Sequence, residues 1–227
     1  MSTWATAAGR VPGAVYDFGV QRPWLAVPAG WLLWGTDVRH LHRTVRGLAD
    51  LPAGSSVLDV PCGGGIALRG LRRGQDVRYV GADVSPAMLA RTRRLAARSW
   101  TTGVALARAD LTRLPFATGA FDSCLCLNGL HCLPDPARAV RELARCLRPG
   151  GRLVGDLVVS GAGVRQDLAL AVLRRLGLFG PGGTPADLGG WLAAAHLRVD
   201  RILRSGAVVH FVATRRGTRH DGPRDES

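Results

Sequence analysis

The stretch Val57-Leu58-Asp59-Val60-Pro61-Cys62-Gly63-Gly64-Gly65 constrains this chain more than any other. It reads as a short buried strand running into a glycine-rich turn. Apolar Ile66, Leu68 and Leu71 are interleaved with Arg69, Arg72 and Arg73, and this spacing predicts that a helix follows at once. Strand, glycine turn and helix together form a cradle for a nucleotide-type cofactor. Glycines let the backbone approach a ligand closely and adopt positive φ, and the start of a helix offers free N–H groups. A dinucleotide fingerprint needs Gly-x-Gly-x-x-Gly/Ala, but the third glycine position here holds the bulky Leu68. Asp59 also lies inside the strand. That carboxylate would repel a pyrophosphate and attract a ligand carrying an ammonium and a sulfonium.

The rest of the chain bounds the setting. Its 227 residues suit one domain with a small appendage, and 47% apolar content is ample for a packed core. The formal net charge is +13, and all 30 basic residues are arginine. A basic chain suits nucleic acid, an anionic membrane surface or an acidic substrate. The arginines are nevertheless spread along most of the chain, and the densest groups, Arg72-Arg73 and Arg91 to Arg98, fall on polar helix faces. They read as solvated surface. Five cysteines and no signal peptide point to a reducing cytoplasm with free thiols. No apolar run reaches the roughly 18 residues that span a bilayer.

Three regions are expected. Residues 1–50 form an N-terminal helical cap that carries Trp4, Trp24, Trp31 and Trp34. Its tryptophans suit an apolar pocket wall or an interfacial membrane contact, and a wall is favoured because ligand pockets are mostly apolar. Thr36 to Leu48 is amphipathic, with Val38, Leu41, Val45 and Leu48 at helical spacing. Residues 51–214 form the cofactor-binding domain, and 215–227 a polar tail.

Within the domain, strand two runs from Val77 to Ala82 and ends at Asp83, 18 residues after Gly65. An acid at a strand tip so placed can accept hydrogen bonds from both ribose hydroxyls. Ser85-Pro86 starts a helix as N-cap and first-turn proline. Strand three is Val104 to Ala107, followed by Asp110-Leu111. Strand four, Ser123 to Leu127, leads into Asn128-Gly129-Leu130-His131, where open α/β sheets bind ligands. Asp135-Pro136 opens a helix to Cys146, strand five runs from Leu153 to Val159, and helices follow from Val164 to Leu176 and from Thr184-Pro185 to near His196. Leu197 to Leu203 and Ala207 to Ala213 read as a terminal hairpin. Cys124, Cys126 and Cys132 beside His131 match no standard zinc spacing, so no metal is expected.

Val57 to Gly65, Ala82 to Leu89, Arg108 to Leu111 and Leu147 to Val154 together resemble the four ordered motifs of class I S-adenosylmethionine (SAM) methyltransferases, in particular the ubiquinone/menaquinone-biosynthesis type. One departure is Pro61, which replaces the first glycine and has no N–H to offer. The resemblance implies a Rossmann-like, doubly wound seven-stranded α/β sheet with the last strand antiparallel and helices on both faces. It implies SAM as cofactor and S-adenosyl-L-homocysteine as product. Asp59, Pro61, Cys62, Gly63 and Gly65 would form the cofactor loop, and Asp83 and Val84 would meet the ribose. Asp110 and Leu111 would meet the adenine, beside which Met88 either packs or fills core. Asn128 would line the site, and Tyr16 would cap the cofactor or anchor the N-terminal segment.

The expected reaction is methyl transfer to a small, partly apolar acceptor at oxygen or carbon. His131 is the candidate general base, its other reading being packing or cofactor contact. An Asp/Asn-Pro-Pro-aromatic motif is lacking after strand four, which disfavours amino-methylation of DNA, and nucleic acid is not the expected partner. RNA methylation, SAM binding without turnover and a dehydrogenase are the competing readings. Fold and cofactor site alone do not establish a reaction.

Overall fold

The computed structural model describes residues 30–98 and 103–217. Trp4, Tyr16, Trp24 and the tail from residue 218 onward lie outside the described residues. Seven strands form one sheet: β1 (Ser55–Asp59), β2 (Val77–Asp83), β3 (Val104–Arg108), β4 (Phe121–Cys126), β5 (Leu147–Val158), β6 (Leu197–Ser205) and β7 (Val208–Arg215). Their spatial order is β3-β2-β1-β4-β5-β7-β6. The first five pair in parallel, and β7 lies antiparallel between β5 and β6. The order reverses between β1 and β4, so the carboxyl ends of these strands form the crevice in which such sheets bind ligands.

Among the described residues, helices α1 (Arg39–Arg46), α2 (Pro86–Ala96), α3 (Pro136–Cys146), α4 (Val164–Arg175) and α5 (Pro185–Ala194) accompany the sheet. Strand β1 is buried along its whole length, as a central parallel strand must be when both faces are covered. On one face, Leu58, Cys124, Leu153 and Phe211 pack with Val140 and Leu143 of α3 and Leu188 and Leu192 of α5. On the other, Val57, Tyr79 and Leu125 pack with Leu48, Ala67 and Leu68. Helix starts follow the sequence chemistry. Asp135 Oδ1 accepts from Arg138 N at 2.8 Å, and Thr184 and Asp187 complete a capping box.

Two expectations need correction. The segment after Gly65 is not an α-helix but a five-residue 3₁₀ turn, Ile66–Gly70. Helix α1 occupies the space a longer helix would need: a Cβ on Gly70 would stand 1.8 Å from the Val45 carbonyl oxygen. Strand β5 also begins earlier than expected. Leu147 pairs with Phe121, and the register shift before Ser123–Arg152 absorbs Pro149-Gly150-Gly151.

Candidate cofactor site

The site is built where β1, β2 and β4 end. Gly63 (φ 51°) and Gly65 (φ 86°) both take the left-handed conformation, which costs glycine nothing. A Cβ on Gly65 would crowd Thr92 at 3.2 Å and Leu95 at 3.3 Å, whereas space beside Gly63 is open. Thr92, on α2, donates its hydroxyl to Gly63 O at 2.7 Å, and Cys62 N donates to Ala82 O at 2.8 Å. The turn is therefore tied to strand β2 and helix α2 before any ligand arrives.

Pro61 has a structural partner. Its ring fills the space beside Gly129, where a Cβ would stand 2.3 Å from Pro61 Cδ. The proline that replaces a glycine in one motif is thus matched by a glycine in the loop after β4.

Two buried carboxylates flank the turn. Asp59 is 1% exposed, and the Tyr79 hydroxyl donates to its Oδ2. Burial raises its pKa to about 7, the Tyr79 hydrogen bond opposes that rise, and the Asp83 charge adds to it. Asp83 is 4% exposed. It accepts Gly63 N at 3.0 Å and Ser85 N at 2.8 Å. Burial raises its pKa as well, against the backbone hydrogen bonds that lower it. A carboxylate has about four lone-pair sites, so Asp83 keeps acceptor capacity for hydroxyls. Burial, then the charges of Asp59 and Asp83, push the Cys62 thiol up, which leaves it protonated and no nucleophile.

The other sequence candidates surround this core. Val84 is half-buried beside Asp83, and Met88 is nearly buried on α2. Asp110 is exposed, with Oδ1 accepting Thr112 N and Oγ1, each at 2.8 Å, while Leu111 is buried. Asn128 adopts φ 53°, a conformation uncommon outside glycine, and its N–H donates to Asp156 Oδ1 at 2.7 Å. His131 is 3% exposed. Its Nδ1 accepts Val158 N at 3.4 Å, and Phe179 packs on the ring with centroids 4.5 Å apart. Burial lowers its pKa to about 3. Phe179 also stacks on Trp34 at 5.9 Å, so the loop after α4 closes over His131.

Tyr79, Thr92 and Asp156 were not singled out in the sequence. Asp156 had a visible signal, being a lone acid in an otherwise apolar strand. Thr92 had a weaker one, as a hydroxyl two turns into the helix that Ser85 starts. Tyr79 had none.

Residues 58–155 match the family described as a methyltransferase domain. The 27-O-demethylrifamycin SV methyltransferase of Amycolatopsis mediterranei (strain S699) is 32% identical over 155 residues, covering 60% of this chain and 57% of that protein. The ubiquinone biosynthesis O-methyltransferase of Pseudomonas paraeruginosa (strain DSM 24068 / PA7) is 31% identical over 163 residues, covering 66% of this chain and 68% of that protein. This chain belongs to the class I SAM-dependent methyltransferases. It spans only part of its curated relatives' length, from 30% to 68%. The [4+2]-cyclase SpnF shares the fold with a TM-score of 0.65 and 20% identity, over 92% of this chain and 96% of that one. The cofactor of the family is SAM, and the cradle fits it. Two buried acids beside the turn and the open space at Gly63 suit a ligand that carries a cation and hydroxyls. Among the described residues no helix is long and apolar enough to cross a membrane.

Proposed function

We propose that this chain transfers a methyl group from SAM to an oxygen of a small, partly apolar acceptor. The observation that carries this reading is the pair of buried carboxylates, Asp59 and Asp83, on either side of the left-handed Gly63–Gly65 turn. Such a pair rejects a pyrophosphate and suits a cationic ligand with ribose hydroxyls. Asp59 would hold the ammonium end, Asp83 the ribose, and Asp110 and Leu111 the adenine. Val84 and Met88 would pack beside the ribose and adenine, with Cys62 and Asn128 lining the cradle. SAM supplies an electrophilic methyl on a sulfonium. The work left to the chain is to align the acceptor with it and keep water away.

In this reading His131 is a packing residue. A group of pKa about 3 is a poor proton acceptor at neutral pH, and Phe179 covers its ring. The acceptor then supplies its own acidity, as a phenol or enol does. The relatives named for O-methylation support an oxygen acceptor. All five cysteines are free, which supports a reducing, cytoplasmic setting. A second reading, SAM binding without methyl transfer, draws support from Pro61, which removes one backbone donor from the loop.

Calorimetric titration with SAM and S-adenosylhomocysteine tests the reading, on wild type and on Asp83→Ala. Losing hydrogen bonds to a charged group should weaken binding roughly ten- to a hundredfold. A panel of phenolic and enolic acceptors, read by S-adenosylhomocysteine release, then separates the two readings. Folded protein that binds neither ligand would sink both.

A further inference from the structure

A second polar site lies between helix α1 and the β6–β7 hairpin. Helix α1, strand β5 and the β6–β7 hairpin border an open cavity of about 210 Å³, lined on its polar side by His40, Arg43 and Thr44 from α1, Arg201 from β6 and His210 from β7. We propose that this cavity binds a compact oxyanion, the phosphate or carboxylate group of a small molecule.

Donor chemistry makes the argument. Arginine can only donate hydrogen bonds, so the 3.0 Å contact between Arg43 Nη1 and His40 Nδ1 makes Nδ1 the acceptor. A neutral His40 then carries its proton on Nε2 and is itself a donor. The His40 and His210 rings lie 5.4 Å apart. His210 Nε2 is buried and has no hydrogen-bond partner among the described residues. Burial, then the neighbouring His40, lowers the His210 pKa to about 4. Arg201 is exposed, and the acid next to it, Asp200, is taken by Arg198 at 2.9 Å and by the Thr214 hydroxyl.

No acid is among the residues that line the cavity. Asp37 approaches Arg43 Nη2 only to 4.0 Å. Asp156 lies across the ladder from His210, and its Oδ1 is occupied by the Asn128 N–H. Arg43, Arg201, His40 and His210 therefore line one cavity with no acid among its lining residues. An acceptor-only group answers that set, and an arginine fork matches a planar carboxylate or a phosphate. Size points the same way, because the cavity falls below the roughly 300 Å³ at which pockets for whole drug-sized ligands begin.

The test follows the imidazole resonances of His40 and His210 in the full chain, assigned with His40→Gln and His210→Gln. Inorganic phosphate and, separately, malonate are titrated at constant ionic strength, with chloride making up the balance. A saturable shift of both rings is expected with at least one anion, weakened roughly ten- to a hundredfold in Arg201→Gln or Arg43→Gln. Tighter phosphate assigns the site to a phosphoryl group, and tighter malonate to a carboxylate. Arg201 is exposed on the edge strand, so its replacement leaves the core untouched. No saturable shift with either anion, or equal affinity in wild type and both variants, would overturn the proposal. Neither readout depends on methyl transfer.

Discussion

Asp59 sits in a buried strand with a hydroxyl as its hydrogen-bond partner, and burial holds it near pKa 7. A cationic ligand would favour the ionised carboxylate, so binding should release a proton from the fraction still protonated. Affinity for SAM is therefore expected to rise with pH through about 7 and to level off near 8, where an α-amino group of ordinary pKa begins to lose its own charge. Asp59→Asn should bind more weakly and lose the rising limb. Titrations in buffers of different ionisation enthalpy, between about pH 5.5 and 8, count the protons. A wild type whose affinity does not change with pH would count against this role. Asp59 and Asp83 were legible in the sequence because each sits at a fixed offset from a glycine turn. Tyr79 and Thr92, which hold the carboxylate and the turn, were not. Their partners are 20 and 29 residues away, and only pairing of β1 with β2 and docking of α2 bring them together.

The elements show the same division between local and long-range information. Proline after Ser, Asp or Thr marked the starts of α2, α3 and α5; Asp135 and Thr184 also cap their helices through the side chain, whereas Ser85 makes no such bond and Pro86 alone marks its start. The apolar spacing after Gly65 is that of a longer helix, but the segment stops as the 3₁₀ turn Ile66–Gly70 because α1 sets its length. The approach of Val45 O to Gly70 explains why that position lacks a side chain. Gly70→Ala should force α1 off the turn and cost about 1–3 kcal/mol, the usual range for overpacking. Urea unfolding should show a lower midpoint, and proteolysis should cut near α1 sooner. An unchanged midpoint would mean that α1 yields without cost. The Pro61–Gly129 pair belongs to this scale too. Neither residue predicts the other in sequence, yet the proline ring occupies the volume that a Cβ at 129 would need.

At the scale of the whole molecule, buried titratable groups of opposite kinds set the dependence of stability on pH. Burial raises Asp59 and Asp156 to about 7, and raises Asp83 as well. Between about pH 4.5 and 6.5 the native state keeps protons on Asp59 and Asp156 that the unfolded chain has lost, so each makes stability fall as pH rises. Burial lowers His131 to about 3 and His210 to about 4, and lowers His42. Over the same interval the unfolded chain holds protons that His131 and His210 have shed, so each makes stability rise. Each fully differing group contributes roughly 1.4 kcal/mol per pH unit, and the two sets largely cancel. Asp122 and Glu142 have lowered pKa values and are ionised in both states there, so they add no slope. Above about pH 6.5 the unfolded histidines lose their protons as well, so their opposing slope fades while the two acids are still ionising. Cofactor-free protein should therefore show a near-flat urea midpoint up to about pH 6.5 and a fall from there to about 8. Asp156→Asn keeps an oxygen for the Asn128 N–H but carries no charge, so it should shrink the fall and unfold later than wild type at pH 8. His131→Phe should turn the flat region into a decline. Wild-type protein that goes on gaining stability between pH 6.5 and 8 would show that these carboxyls are not held protonated by the fold.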